Sequence, residues 1–477
     1  MTEKDDREAS NSGENENSQS RESSTLLVRS PIDGSEVARF ASADAATINS
    51  VVAHARQAYT RHRGCGPSTR EDWLLRSATL LDARKAEFLE RLVVETGSPI
   101  TKAGRELQTA TNVLRAAASA CRHVYGQTLP SDVPDRLSLA IREPLGVVAG
   151  ITPFNVPLIK AVKHSALALA TGNAVILMPS PLAPSIAALL ATVYADAGVP
   201  AGLFHVIFGD GQKIGDHLTA HPDVQAIGFT GSTKTGRRIA TIAAARGAQV
   251  TLEMGGKNPA VVMHDADLAT VVPAITMGAF LFQGQICMST SRCLVATELF
   301  DALVPRLVAA AQRLPSGDLR DPATVVGPMI SQQAQSRVLA EIRDAIDAGA
   351  QLLTGGEACG QGIQPTILMG IRPEMAIAQH EVFGPVLCIE RFTSLQQAIS
   401  LANQGPYGLT ASIFTASQAT AMQFARQSTA AMVHVNGPTI AEEAHVPFGG
   451  NGDSGFGREG ALVGIEQLTR WKWLTLG

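Results

Sequence analysis

The spacing of apolar positions changes period along this chain, and the changes divide it. From residue 45 to about 125 apolar residues recur three and four apart, as Leu74, Ala78, Leu81 and Phe88 do, which predicts helices over 45–63, 68–96 and 100–125. The Arg and Glu residues between the apolar positions read as a solvated face. Ahead of these helices, S-P-I-D-G-S-E-V reads as a strand pair around an Asp-Gly turn. Across 126–144 the alternation of Leu137, Leu139 and Ile141 fits extended strands leaving the helical layer.

From Gly146 the text changes again. Short, wholly apolar runs at 146–151, 174–178, 203–207 and 224–229 alternate with helical stretches at 157–171, 183–197 and 214–220. Strands apolar on both faces must be covered on both faces, so the pattern predicts a parallel, doubly wound α/β sheet. In such sheets ligands sit beyond the carboxyl ends of the strands. After Asn258 a second α/β unit follows, with strands near 258–263, 293–297, 386–392, 410–415 and 432–436. No internal repeat is visible.

Composition narrows the class. With 477 residues the chain has room for two or three domains. A formal net charge of −4 gives no reason to expect nucleic acid or an anionic membrane surface as a partner. The six cysteines form no C-x-x-C pair and no Cys/His cluster at metal spacing, which argues for a reducing compartment and against a disulfide frame or a metal site. The first 25 residues are almost devoid of apolar side chains and read as a solvated tail, with no signal or transit pattern. No apolar run reaches 18 residues, so no membrane span is expected, and the cytoplasm is the expected location.

Chemistry concentrates where strands end. In L-F-Q-G-Q-I-C-M-S-T, Cys287 follows a Gly-Gln pair ahead of an apolar run, and in V-T-L-E-M-G-G-K-N-P, Glu253 ends a run just before two glycines. A thiolate attacks a carbonyl carbon and a carboxylate at a strand mouth activates water, so the two imply covalent catalysis followed by hydrolysis. In I-T-P-F-N-V-P-L, Asn155 sits between two prolines at a helix start, placed either to cap the helix or to donate to an oxyanion. F-T-G-S-T-K-T-G leaves a strand and opens a helix without the G-x-G-x-x-G spacing, yet its N–H groups suit a pyrophosphate. In Q-H-E-V-F-G-P-V, Glu381 and Phe383 stand just before a strand, a carboxylate for sugar hydroxyls and a ring for a flat cofactor. Each block alone has an ordinary structural explanation.

Together they resemble the aldehyde dehydrogenase superfamily, from about residue 26 to the C-terminus. The resemblance rests on P-F-N-V-P-L, A-T-G-N-A-V, F-T-G-S-T-K-T-G, L-E-M-G-G-K-N-P, Q-G-Q-I-C, E-V-F-G-P-V and P-F-G-G followed by S-G-F-G-R-E-G, seven blocks in the family's order. It implies two doubly wound α/β domains with a small β oligomerisation arm. Residues 26–124 and 144–254 would form the dinucleotide-binding domain, 255–456 the catalytic domain, and 125–143 with 457–477 the arm of a homodimer or homotetramer. It also implies oxidation of a small-molecule aldehyde with NAD or NADP. Cys287 would be the nucleophile, Glu253 the base for the deacylating water, and Asn155 with the Cys287 N–H the oxyanion donors. Thr152, Phe154, Met178, Ser180, Gly231, Ser232, Thr233, Gly236, Glu381 and Phe383 would face the cofactor.

Departures from the family pattern matter too. The family's Lys-Pro-Ser/Ala-Glu reads M-P-S-P here, so Met178 and Pro181 replace the lysine and glutamate that hold the adenosine ribose. A helix lysine is replaced by His164, which with Glu459 implies a proton relay sensitive to pH near neutrality. Val156, Lys160, Lys163, Ile286, Met288 and Phe448 would line the substrate pocket. The surrounding text is similar to the branch that oxidises benzaldehyde, vanillin and salicylaldehyde. A CoA-acylating semialdehyde dehydrogenase and a catalytically idle dinucleotide-binding relative are the rival readings.

Overall fold

The computed structural model describes residues 25–460 and 462–477, so most of the expected N-terminal tail lies outside the described residues. The first sheet has six strands in the order Gly455–Phe456, Gln249–Glu253, Val224–Thr230, Val147–Ile151, Ala174–Met178, Phe204–Val206. All neighbours are parallel except Gly455–Phe456, which runs antiparallel to Gln249–Glu253. This glycine-rich segment joins the sheet, Gly455 pairing directly with Glu253, although two residues are too short to show a strand's alternation in the sequence.

The second sheet has seven strands in the order Gln351–Thr354, Thr366–Met369, Val386–Phe392, Thr290–Ala296, Asn258–Val262, Thr410–Phe414, Met432–Val435. Only the Gln351–Thr354 edge is antiparallel. Its unbroken apolar strands follow from burial on both sides: Ala260, Val262, Cys293 and Val295 enter one core while Val261, Leu294, Ala411 and Ile413 enter another. A third sheet pairs Thr469–Leu476 with Leu137–Pro144, which also pairs with Gln127–Leu129. It carries exposed Leu137, Trp471, Trp473 and Leu476.

The helix expected over 68–96 is two helices, Pro67–Ala83 and Lys85–Thr96, broken at Arg84 (φ −95°, ψ 17°). The break lets each half bury its own stripe, Trp73, Leu74 and Leu81 in one, Phe88, Leu92 and Val93 in the other. Helix Ile100–Ala120 packs along helix Pro157–Ala170, which follows strand Val147–Ile151 of the first sheet. Among the described residues no helix is long and apolar enough to cross a membrane, and no cluster of His, Cys, Asp and Glu could hold a metal ion.

Candidate active site

In the first sheet the chain order reverses between Val147–Ile151 and Val224–Thr230. Their connections therefore leave to opposite sides and open a crevice beyond the carboxyl ends. A cleft of about 1000 Å³ occupies it, lined by Thr152, Phe154, Asn155, Met178, Ser180, Gly231, Ser232, Cys287, Glu381 and Phe383 among others. The second sheet meets the same cleft with its amino ends: Cys287 precedes strand Thr290–Ala296, and Glu381 and Phe383 precede Val386–Phe392.

The turn before Cys287 is unusual in its backbone. Phe282, Gln283 and Gly284 all have positive φ (52°, 57° and 63°), a run that non-glycine residues rarely hold. Side chains pin it. Gln283 Oε1 accepts from the Ile363 N–H at 3.0 Å and Gln285 Oε1 from the Ile330 N–H at 2.9 Å. Asn258 Nδ2 donates to the carbonyls of Cys287 and Ser289 at 2.8 and 2.9 Å. A Cβ at Gly284 would stand 2.2 Å from the Gly384 carbonyl, so only glycine lets this turn lie against the one bearing Phe383 (φ 51°). Burial pushes the Cys287 thiol up to about 12, and the Lys160 charge is the strongest influence pulling it back down.

Glu253 ends strand Gln249–Glu253 one layer behind the cleft, while its neighbours Met254 and Gly255 form the wall. It is buried, and neither carboxylate oxygen has a hydrogen-bond partner. Burial raises it to about 8, against the pull of Lys160 and Lys163 and with a further push from Glu459. The same lysines meet Glu459, Lys160 Nζ at 2.8 Å and Lys163 Nζ at 3.3 Å from Oε2. Burial works to raise Glu459 as well, but the two ammonium groups outweigh it and hold it ionised, well below the usual range. Lys163 also pairs with Glu442, and both lysines lie over the Phe448 ring, at 4.8 Å for Lys160 and 4.0 Å for Lys163.

This cluster corrects the expected relay. His164 Nε2 is 3.8 Å from Glu459 Oε1 and has its nearer contact, 3.3 Å, with Thr230 Oγ1. Burial pushes the imidazole down to about 4, so it stays neutral near pH 7 and supplies no switch there. Its side chain fills the space above Gly150 and Gly228, where an added Cβ would come within 2.7 Å of its Cβ and 2.3 Å of its Nδ1. Glu459, pinned by the two lysines, adds its charge to the field that Glu253 feels.

Ser232 caps helix Thr233–Ala244, its Oγ accepting from the Thr235 N–H at 3.3 Å, and the first-turn N–H groups face the cleft mouth. The Gly231 N–H is already given to the Glu253 carbonyl at 3.0 Å, which ties the phosphate turn to the strand bearing the base. Thr152 Oγ1 is buried on the cleft wall without a partner. Glu381 accepts from the Gly256 N–H at 3.1 Å and is pushed up to about 7 by burial. Phe154 and Phe383 meet edge to face at 6.0 Å. An extended, phosphate-bearing, flat-ringed molecule fits this set. Two expected contacts do not reach the cleft: Thr233 Oγ1 donates to the Asp453 carbonyl at 3.0 Å, and Gly236 is a packing glycine whose Cβ would meet Met254 Sδ at 2.4 Å. Met178 faces Gly211 and Gly215, whose added Cβ atoms would lie 3.8 and 3.4 Å from its Cε.

The family profile described as the aldehyde dehydrogenase family matches residues 18–474. This chain belongs to that family. A vanillin dehydrogenase of Pseudomonas fluorescens is 39% identical over 459 residues, covering 96% of this chain and 95% of its own. A benzaldehyde dehydrogenase [NAD(+)] of Pseudomonas putida is 40% identical over 403 residues, 84% of this chain and 82% of that one. Among solved structures, a salicylaldehyde dehydrogenase from Pseudomonas putida G7, complexed with salicylaldehyde, superposes with a TM-score of 0.92 at 33% identity, covering 96% and 95% of the two chains. The protein is thus an aldehyde-oxidising dehydrogenase with the aldehyde dehydrogenase fold.

Sequence reasoning passed over several groups of this dehydrogenase site. Glu442 was not seen as the partner of Lys163. Lys102 and Glu106, buried behind Asn155, were not singled out. Their signal was present: a lysine and a glutamate one turn apart beside Ala103 and Leu107 place charges inside an apolar stripe.

Proposed function

We propose that this dehydrogenase oxidises aromatic aldehydes to carboxylic acids through a thioester on Cys287, with NAD preferred to NADP. The observation that carries the reading is the pairing of a cleft-lining thiol with a buried carboxylate whose two oxygens have no hydrogen-bond partner. The Cys287 thiol passes its proton to solvent water and its sulfur bonds to the carbonyl carbon, the C=O electrons moving onto oxygen. The Asn155 amide and the Cys287 N–H hold that oxyanion. The bound nicotinamide supplies the acceptor for the hydride that leaves as the alkoxide collapses to the thioester. Glu253 takes a proton from water, the water oxygen adds to the thioester carbon, and the same donors hold the second oxyanion. Cleavage of the C–S bond then releases the acid and restores the thiolate.

An aromatic substrate is supported by the buried apolar cluster of Ile286, Met288 and Phe448, against which Cys287 packs, and by the names of the relatives. Preference for NAD is supported where Asp210 and Asp216 line the cleft beside Lys234 and Arg238, with Asp216 Oδ1 accepting from Arg238 Nε at 2.8 Å. A 2′-phosphate there would meet two carboxylates and would have to compete with Asp216 for Arg238. The unpartnered Glu253 argues against transfer to CoA, which needs no water-activating base. Six free cysteines favour the cytoplasm. The exposed Trp471, Trp473 and Leu476 on the third sheet favour pairing with a second copy in a homodimer or homotetramer.

A screen of benzaldehydes with each dinucleotide, following acid and reduced cofactor with and without CoA, tests this reading. Acid formation without CoA and a higher kcat/KM with NAD are expected. Cys287→Ala should abolish oxidation and ester hydrolysis alike; retained oxidation in that variant rejects the nucleophile.

A further inference from the structure

Behind Asn155 lies a buried ion pair that the chemistry above does not use. Helix Ile100–Ala120 carries Lys102, 5% exposed, and Glu106, 2% exposed, joined at 2.6 Å. The ammonium makes two further bonds, to the Asn155 carbonyl oxygen at 2.6 Å and to Ser98 Oγ at 3.0 Å, so its three donors are all used. It also lies 4.3 Å from the centre of the Phe282 ring. Glu106 uses its other oxygen, Oε1, to accept from the Leu158 N–H at 2.8 Å. Leu158 is in the first turn of helix Pro157–Ala170, whose N-cap Val156 offers no side-chain acceptor. The carboxylate thus does from a distance what a capping side chain does locally.

Each contact falls on a part of the oxyanion site. The Asn155 carbonyl belongs to the residue whose amide holds the oxyanion. Phe282 belongs to the left-handed turn that delivers the Cys287 N–H. We propose that Lys102 and Glu106 are positioning residues for the oxyanion site: from one helix they fix the Asn155 amide without touching substrate. Leaving such a pair in the core is costly unless every polar atom is satisfied, and here each charged group has its partners. The claim rests on Asn155 being an oxyanion donor.

The test is a cycle on the full-length enzyme, with Lys102→Met/Glu106→Gln, Asn155→Ala and the combination of all three. The neutral pair keeps an acceptor for the Leu158 N–H. Its kcat for benzaldehyde oxidation should fall ~100-fold with KM nearly unchanged, as for a lost oxyanion donor, and ester hydrolysis should fall with it. Alkylation of Cys287 by iodoacetamide, which forms no oxyanion, should proceed at the unaltered rate. The triple variant should be no slower than Asn155→Ala alone. The same fold loss in the Asn155→Ala background, or alkylation slowing in step with turnover, overturns the proposal, since either means general disruption of packing. Should the neutral pair not fold, Lys102→Arg enters the same cycle, and a loss that persists without Asn155 again overturns it. Full turnover in Asn155→Ala removes the oxyanion assignment and this inference together; a crippled Asn155→Ala beside fully active pair variants removes this inference alone.

Discussion

Glu253 and Glu459 are both buried carboxylates facing Lys160 and Lys163, yet their protonation lies on opposite sides of neutrality. Glu459 takes the ammonium groups at close range and stays an anion. Glu253 feels them only across space, and burial raises it to about 8. Depth in the protein is common to both, so contact with a counter-charge decides the outcome. One carboxylate is spent on holding the lysines; the other is left able to exchange a proton with water. As the proposed base, Glu253 works only when ionised, so turnover should rise with pH through about 8.

Glu253→Gln removes the exchangeable proton and should cut turnover about 10³-fold, leaving a burst of one equivalent of reduced cofactor in stopped-flow absorbance. Absence of a burst with normal turnover would break the contrast outright. Lys160→Met removes the strongest influence holding Glu253 down, so the rising limb should move above 8 and turnover at pH 7 should fall about tenfold. Glu459→Gln should act in the other direction. It removes a like charge and releases Lys160 toward Glu253, so the limb should move below 8, and a kcat–pH profile of the two variants compares them directly. The smallest effect belongs to His164, whose folded value of about 4 lies below its ordinary 6.5. Between those values the unfolded chain binds the proton that the folded one refuses, so stability is lost as pH falls through that window. His164→Asn should flatten the thermal midpoint against pH by about 2 °C over the same range.

How far the site was legible depended on the range of the interactions involved. Cys287, Glu253 and Asn155 stand in short blocks at strand ends, where local pattern and placement coincide, and the structure sets each at or just behind the cleft. The same holds for the parallel order of the strands, since an apolar run read alone already demands cover on both faces. The charge state of His164 was not legible. It is set by sheet glycines at 150 and 228, which let the ring sink in, against the opposing pull of the carboxylate at 459. Lys102 was missed for a similar reason, because its meaning comes from the Asn155 carbonyl 53 positions away. Gly455–Phe456 read as loop because two residues carry no period, and only the partner strand makes them sheet.

The antiparallel pairing of Gly455 with Glu253 bears on the order of events during synthesis. The segment bearing Phe448, Gly455 and Glu459 encloses the base and emerges from the ribosome some two hundred residues after it. Until that strip arrives, a nascent chain lacks both the strand that pairs with Glu253 and, with Phe448, part of the cluster packed against Cys287. Translation therefore completes the surroundings of both residues together and late.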